Sequence, residues 1–143
     1  MIYRWRFFQY ESPAGRKSVD DWRKEMPIGL PRADLDNFLK LLAKSTEWSH
    51  PDIAPLHGRP YRGLTELRWK SGRVPYRLIG YSRRQPNPPL PGEYILLIGC
   101  THNAKKYDPP SALETARRYR EEILQGKART CEYRLITDQP NEG

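Results

Sequence analysis

Arg68 and Arg77 flank the short segment Ser71-Gly72-Arg73. If Gly72-Arg73 is a two-residue hairpin loop, glycine in first place suits a type II′ turn. Ser71 then pairs with Val74, Trp69 with Tyr76, and Arg68 with Arg77. Counting out from the turn, the two arginines take a non-hydrogen-bonded position, where Cα atoms are only about 4.5 Å apart. Like charges set directly opposite destabilise a sheet, so the pair calls for an anion. The planar guanidinium fork suits phosphate. One face of this ribbon carries Leu67, Trp69, Val74, Tyr76 and Leu78 and reads as core. The other carries Glu66, Arg68, Lys70, Arg77, Ile79 and Tyr81 and reads as solvent-facing. Two alternatives stay open. Glu66, on the same face as Arg68, neutralises one arginine in an ion pair of little worth, or a three-residue loop shifts the register and dissolves the pair.

A second group of chemically able residues lies further on. Lys105 and Lys106 follow an apolar strand-like run, with His102 and Tyr107 close by. Cleavage of a phosphodiester needs a base, an acid and positive charge around the phosphate, and this group offers each type. The plain alternative for the two lysines is a solvated loop pair. His57 stands close to two other basic residues, Arg59 and Arg62. His50, His57 and His102 lack the spacing with Cys or carboxylates that a zinc site needs. No Gly-rich phosphate loop, nucleophile elbow or dinucleotide fingerprint occurs, so no metal and no cofactor is expected. Cys100 reads as a small buried hydrophobe, and Trp5, Trp22, Trp48 and Trp69 as packing residues.

These residues need elements to position them. Residues 2–10, aromatic and free of Gly and Pro, predict a first strand. Ser18 with Asp21 resembles a capping box before Val19, Trp22 and Met26, which predicts a short helix. Pro31 followed by the stripe Leu35, Phe38, Leu39 and Leu42 predicts a second helix running to about residue 46. Residues 50–63 read as loop. Strands are predicted over 63–70, 74–83 and 93–101, the last two joined by the proline-rich loop 85–92. Ser111 with Glu114 makes a second capping box, and Leu113, Ala116, Tyr119, Ile123 and Leu124 the stripe of a third helix stopped by Gly126. The order is β-α-α-β-β-β-α, an α+β domain with an antiparallel sheet packed against helices. Residues 1–126 form that domain, and 127–143 a polar extension in which 131–136 is a candidate extra strand.

The whole chain, 143 residues with 37% hydrophobic side chains and mean hydropathy −0.86, is one domain's length with a lean core and a charged surface. No run is apolar enough to span a membrane, and residues 1–10 lack a signal's apolar stretch. Two cysteines suggest a reducing compartment, so the expectation is a cytoplasmic protein. The net charge of +8 is uneven: residues 51–107 hold 10 basic and 3 acidic side chains, a balance of +7, against +2 before and −1 after. A field concentrated in this way suits a polyanion.

The runs RGLTELRWKSGRVPYRLIGY and YILLIGCTHNAKKYDPPSALETARRYREEI resemble the RelE/HigB-like toxins of type II toxin–antitoxin modules, nearest the phage-related HigB-like branch. The matching positions are Gly63, Leu64, Glu66, Leu67, Arg68, Tyr76, Arg77, Lys105, Lys106, Pro109 or Pro110, and Ala116, with Asp20-Asp21-Trp22 in the first helix. The chain departs at Ala54, where many relatives carry lysine. The resemblance implies a RelE-like α+β fold and a metal-independent, ribosome-dependent mRNA endoribonuclease, an mRNA interferase that inhibits translation. It further implies restraint by a cognate helix-turn-helix antitoxin. It makes Arg77 the foremost catalytic residue, followed by Arg68, Lys106 and Lys105. Arg59, Arg62, Lys70, Arg73, His102 and Tyr107 are expected along the RNA. Two other readings stand beside it: a ParE-like toxin acting on DNA gyrase, and a non-catalytic nucleic-acid-binding protein derived from a toxin.

Overall fold

The computed structural model describes residues 3–135. Strand β1 (Trp5–Glu11) leads to helices α1 (Ser18–Glu25) and α2 (Leu30–Lys44), then to a short strand β2 (Ile53–Pro55) and a single 3-10 turn at Arg59–Tyr61. Strands β3 (Thr65–Ser71), β4 (Val74–Arg84), β5 (Gly92–Asn103) and β6 (Lys106–Asp108) follow, then α3 (Ala112–Leu124) and β7 (Arg129–Glu132). The order in the open sheet is β2-β3-β4-β5-β1-β7, with β6 paired to β5.

The architecture is α+β, and the expectation of a purely antiparallel sheet is corrected: β1 lies parallel to β5, from Trp5↔Gly92 to Gln9↔Leu96. After β1 the chain leaves through α1 and α2 and re-enters at β2, the far edge of the sheet. The meander from β2 to β5 then returns to β1, bringing β5 alongside it in the same direction. Residues 50–63 are not all loop, since Ile53–Pro55 pairs with β3. The extra strand near the C-terminus falls on Arg129–Glu132 against β1, four residues rather than the six of 131–136, and Ile136 lies outside the described residues. Tyr133, just beyond β7, is buried in the core.

Two apolar layers sandwich the sheet. Helices α1 and α2 cover Phe7, Leu67, Leu78 and Leu96, with Trp5 and Trp69 buried among them and Trp22 and Trp48 packed alongside. Helix α3 covers the opposite face through Ala112 and Ala116, over Tyr10, Ile79, Ile95, Leu97 and Cys100. The hairpin face that read as solvent-facing is therefore lidded, with Ile79 fully buried and Glu66 nearly so. The sequence pattern shows that face as half polar because Glu66, Arg68 and Arg77 share it with Ile79.

Neither capping box forms. Ser18 is already inside α1, whose N-cap is Lys17 without a side-chain bond. The buried Gln9 side chain serves instead, its Oε1 accepting from the N–H groups of Val19 and Asp20 at 3.1 and 2.9 Å, which meets two of the helix's orphan donors. Ser111 is the N-cap of α3, but its backbone (φ −86°, ψ 9°) is not extended and makes no side-chain cap, whereas capping serine needs the β-region. At Gly99 the backbone passes so close to α1 that a Cβ would sit 2.2 Å from the Trp22 ring.

Candidate functional site

The hairpin forms in the anticipated register: Ser71↔Val74, Trp69↔Tyr76, Arg68↔Arg77. Gly72 takes φ +63°, as the first position of a type II′ turn requires. The Arg68 N–H donates not to Arg77 but to the Asp52 carbonyl at 2.8 Å, so the arginines do form a non-hydrogen-bonded pair, the closer of the two antiparallel arrangements.

Their charges are not left opposed. Glu66, its side chain 4% exposed, lies on the same face. Its Oε2 accepts from Arg68 Nε at 2.9 Å and forms an ion pair with Nη2 at 2.7 Å. Arg77 Nε stands 3.7 Å from that same oxygen, outside hydrogen-bonding range, and is buried with no acceptor among the described residues. Arg77 Nη1 donates to the Tyr76 carbonyl at 3.0 Å. Glu66 Oε1 accepts the Tyr107 hydroxyl at 2.7 Å. One carboxylate against two guanidiniums leaves a net positive site. Arg68, with its side chain 32% exposed, is open to solvent, whereas Arg77 at 14% is mostly enclosed.

Strand geometry explains the rest. Arg77 pairs with Cys100 on β5, so His102, two residues on, shares the arginine face, and His102 pairs with Tyr107 on β6. The two rings touch, with centroids 4.4 Å apart. Burial, and then the bond to Glu66, push the Tyr107 hydroxyl well above the usual phenol range, so it stays protonated and acts as a donor. The Cys100 thiol is pushed up to about 12, first by burial and then by Glu66, and is no nucleophile at neutral pH.

The structure assembles some of the expected residues and separates others. Arg68, Arg77, His102 and Tyr107 come together, and Lys70 lies on the same face of β3 toward the turn, exposed, with Arg73 exposed in the turn itself. Lys105 sits at the tip of the β5–β6 hairpin, where it and Ala104 adopt φ +66° and +51°, as a type I′ turn demands of both central residues. Lys106 pairs with Asn103, and alternation places it on the face opposite Tyr107. Arg59 and Arg62 belong to the exposed 3-10 turn beside α3, where Arg120 Nη1 donates to the Arg62 carbonyl at 2.6 Å. No family model, no curated protein and no solved structure matches the chain. Among the described residues no cluster of three His, Cys, Asp or Glu is placed to hold a metal, and no helix is long and apolar enough to cross a membrane.

What sequence reasoning undervalued is Glu66, which it weighed only as a neutraliser of one arginine. The signal was its spacing: an acid two residues before Arg68 on a strand shares a face with it, and through the register with Arg77.

Proposed function

We propose that this chain is the toxin of a type II toxin–antitoxin module, a ribosome-dependent endoribonuclease that cuts mRNA and stops translation. The observation that carries the reading is the pair of cross-strand arginines, gathered with a protonated tyrosine and a histidine at one end of the sheet. The resemblance of residues 2–124 to RelE/HigB-like toxins and the +7 balance of residues 51–107 support it.

In this reading Arg68 and Arg77 receive the scissile phosphate. The neighbouring 2′-hydroxyl loses its proton to the base and attacks phosphorus, the P–O5′ bond breaks, and the departing O5′ takes a proton from water, so the products are a 2′,3′-cyclic phosphate and a 5′-hydroxyl end. The arginines stabilise the charge that builds on the non-bridging oxygens, a role that fixed donors perform best. Tyr107, which keeps its proton, is a donor rather than a base. The base is His102, since imidazole is the side chain most often placed as a general base, and it lies on the arginine face while Lys106 does not. Lys105 and Lys106, with Arg59, Arg62, Lys70 and Arg73, hold the RNA backbone. A helix-turn-helix antitoxin covers this surface in the resting cell, and the setting is the cytoplasm.

Purified chain incubated with translating ribosomes and a defined mRNA tests the reading. Cleavage in the presence of chelator, leaving 5′-hydroxyl ends, is expected. RNA binding without cleavage favours the non-catalytic relative, and intact RNA with stalled DNA gyrase favours the ParE-like one.

A further inference from the structure

The Glu66 carboxylate meets three of the four groups of the site, Arg68, Arg77 and Tyr107. It is buried, yet it neither ends a helix nor lies on a solvated face. Its position is fixed by β3, while Arg68 is two residues along that strand, Arg77 is opposite on β4, and Tyr107 reaches in from β6. Three strands therefore meet at two oxygens: Oε2 with Arg68 at 2.7 and 2.9 Å and Arg77 at 3.7 Å, Oε1 with Tyr107 at 2.7 Å. A buried carboxylate is tolerated only when paired and hydrogen-bonded, and here all its partners are groups that the nuclease reading assigns to the substrate.

We propose that Glu66 is the positioning residue of this site, holding Arg68, Arg77 and the Tyr107 hydroxyl at fixed separations around a single phosphate. The inference rests on the nuclease reading. Arg68 commits its Nε and Nη2 to Glu66, and Nη1 is left to turn toward an incoming oxygen. Without the carboxylate, two guanidiniums on directly opposed residues repel each other, and each swings to its own solvent-favoured rotamer. Donors that must reorganise during the reaction stabilise a transition state poorly. Loss of Glu66 therefore lowers kcat, while ground-state RNA binding, which answers to net charge, is kept or strengthened.

The experiment uses the full chain with Glu66→Gln, Glu66→Asp and Tyr107→Phe. Three readouts are taken: mRNA cleavage on ribosomes, binding of a non-cleavable 2′-O-methyl oligonucleotide, and tyrosine ionisation followed by absorbance, with Tyr107→Phe identifying the Tyr107 signal. Charged and titratable neighbours of that hydroxyl are Glu66, Cys100, Arg77 and His102. Glu66→Gln is expected to lower kcat on the order of 100-fold, to bind the oligonucleotide at least as tightly as wild type, and to let Tyr107 ionise at lower pH. Glu66→Asp, keeping the charge, is expected to recover cleavage to within about tenfold of wild type. Wild-type kcat in Glu66→Gln, or Tyr107 ionisation that does not move, overturns the positioning role. If Glu66→Gln does not fold, Tyr107→Phe decides: a fall in kcat with unchanged binding supports the role, and unchanged kcat overturns it. A wild-type chain that never cleaves sinks the nuclease reading instead, and the Tyr107 ionisation shift then judges the positioning role alone.

Discussion

Arg77 is the side chain on which the proposed chemistry depends, and its surroundings make its removal informative. It is mostly enclosed, so Arg77→Ala carries a structural cost as well as a functional one. The buried Glu66 keeps Arg68 and Tyr107 as partners, and a loss of about 1–3 kcal/mol is expected in urea unfolding, with the fold retained. Growth arrest on expression should disappear. Arg77→Lys is the sharper variant, because it keeps the charge and removes the planar fork. It is expected to restore most of the stability and little of the toxicity. A fully toxic Arg77→Lys chain would mean that charge alone suffices. At this scale the pairing of the arginines was legible, because a Gly-first turn and period-2 alternation determine it. The placement of Lys106 on the face opposite Tyr107 was not, since nothing in the run of residues 102–107 announces that β5 turns back after Asn103. The two-residue turn at Ala104-Lys105, with a left-handed backbone at non-glycine residues, lacks the Asn-Gly signal by which such turns are usually read.

Elements were read well where apolar periodicity was strong and poorly where an element depends on a neighbour that its own residues do not announce. Helix α2 and strands β3 to β5 carry long stripes or alternations. Strands β2, β6 and β7 are three or four residues each and exist only because a longer neighbour offers an edge. The caps failed for a similar reason: the group that caps α1 is Gln9, ten residues away from its bonded Val19 and in another element. Close packing of α1 on the sheet gives a prediction that sequence reading missed. A methyl at residue 99 would overlap the Trp22 ring, so Gly99→Ala must push α1 off β5. A loss of about 3 kcal/mol is expected in denaturant titration, with reduced Trp22 burial seen in fluorescence. Gly99→Ala at wild-type stability would contradict this packing.

Over the whole molecule two fields of behaviour follow from charge and burial. On the proposed reading, the basic surplus of residues 51–107 is expected to make association with RNA fast and salt-sensitive, and the logarithm of the RNA affinity should fall linearly with the logarithm of salt concentration. A flat response would place the contact on the helices instead. Burial also holds several acids protonated: Cys100, together with Tyr10, Tyr94, Tyr107 and Tyr133, all ionise above their ordinary values. Each binds its proton more firmly folded than unfolded, so their contribution is complete below about pH 9 and is lost as pH rises above that. Stability measured by thermal unfolding should therefore fall steadily above about pH 9. The central claim is that the opposed arginines serve RNA cleavage, and mapping 5′ ends of cellular mRNA after brief expression of the wild-type and Arg77→Lys chains tests it most directly. New 5′-hydroxyl ends within translated regions in the wild type, absent with Arg77→Lys, are the predicted result; growth arrest by the wild type with mRNA left intact would contradict it.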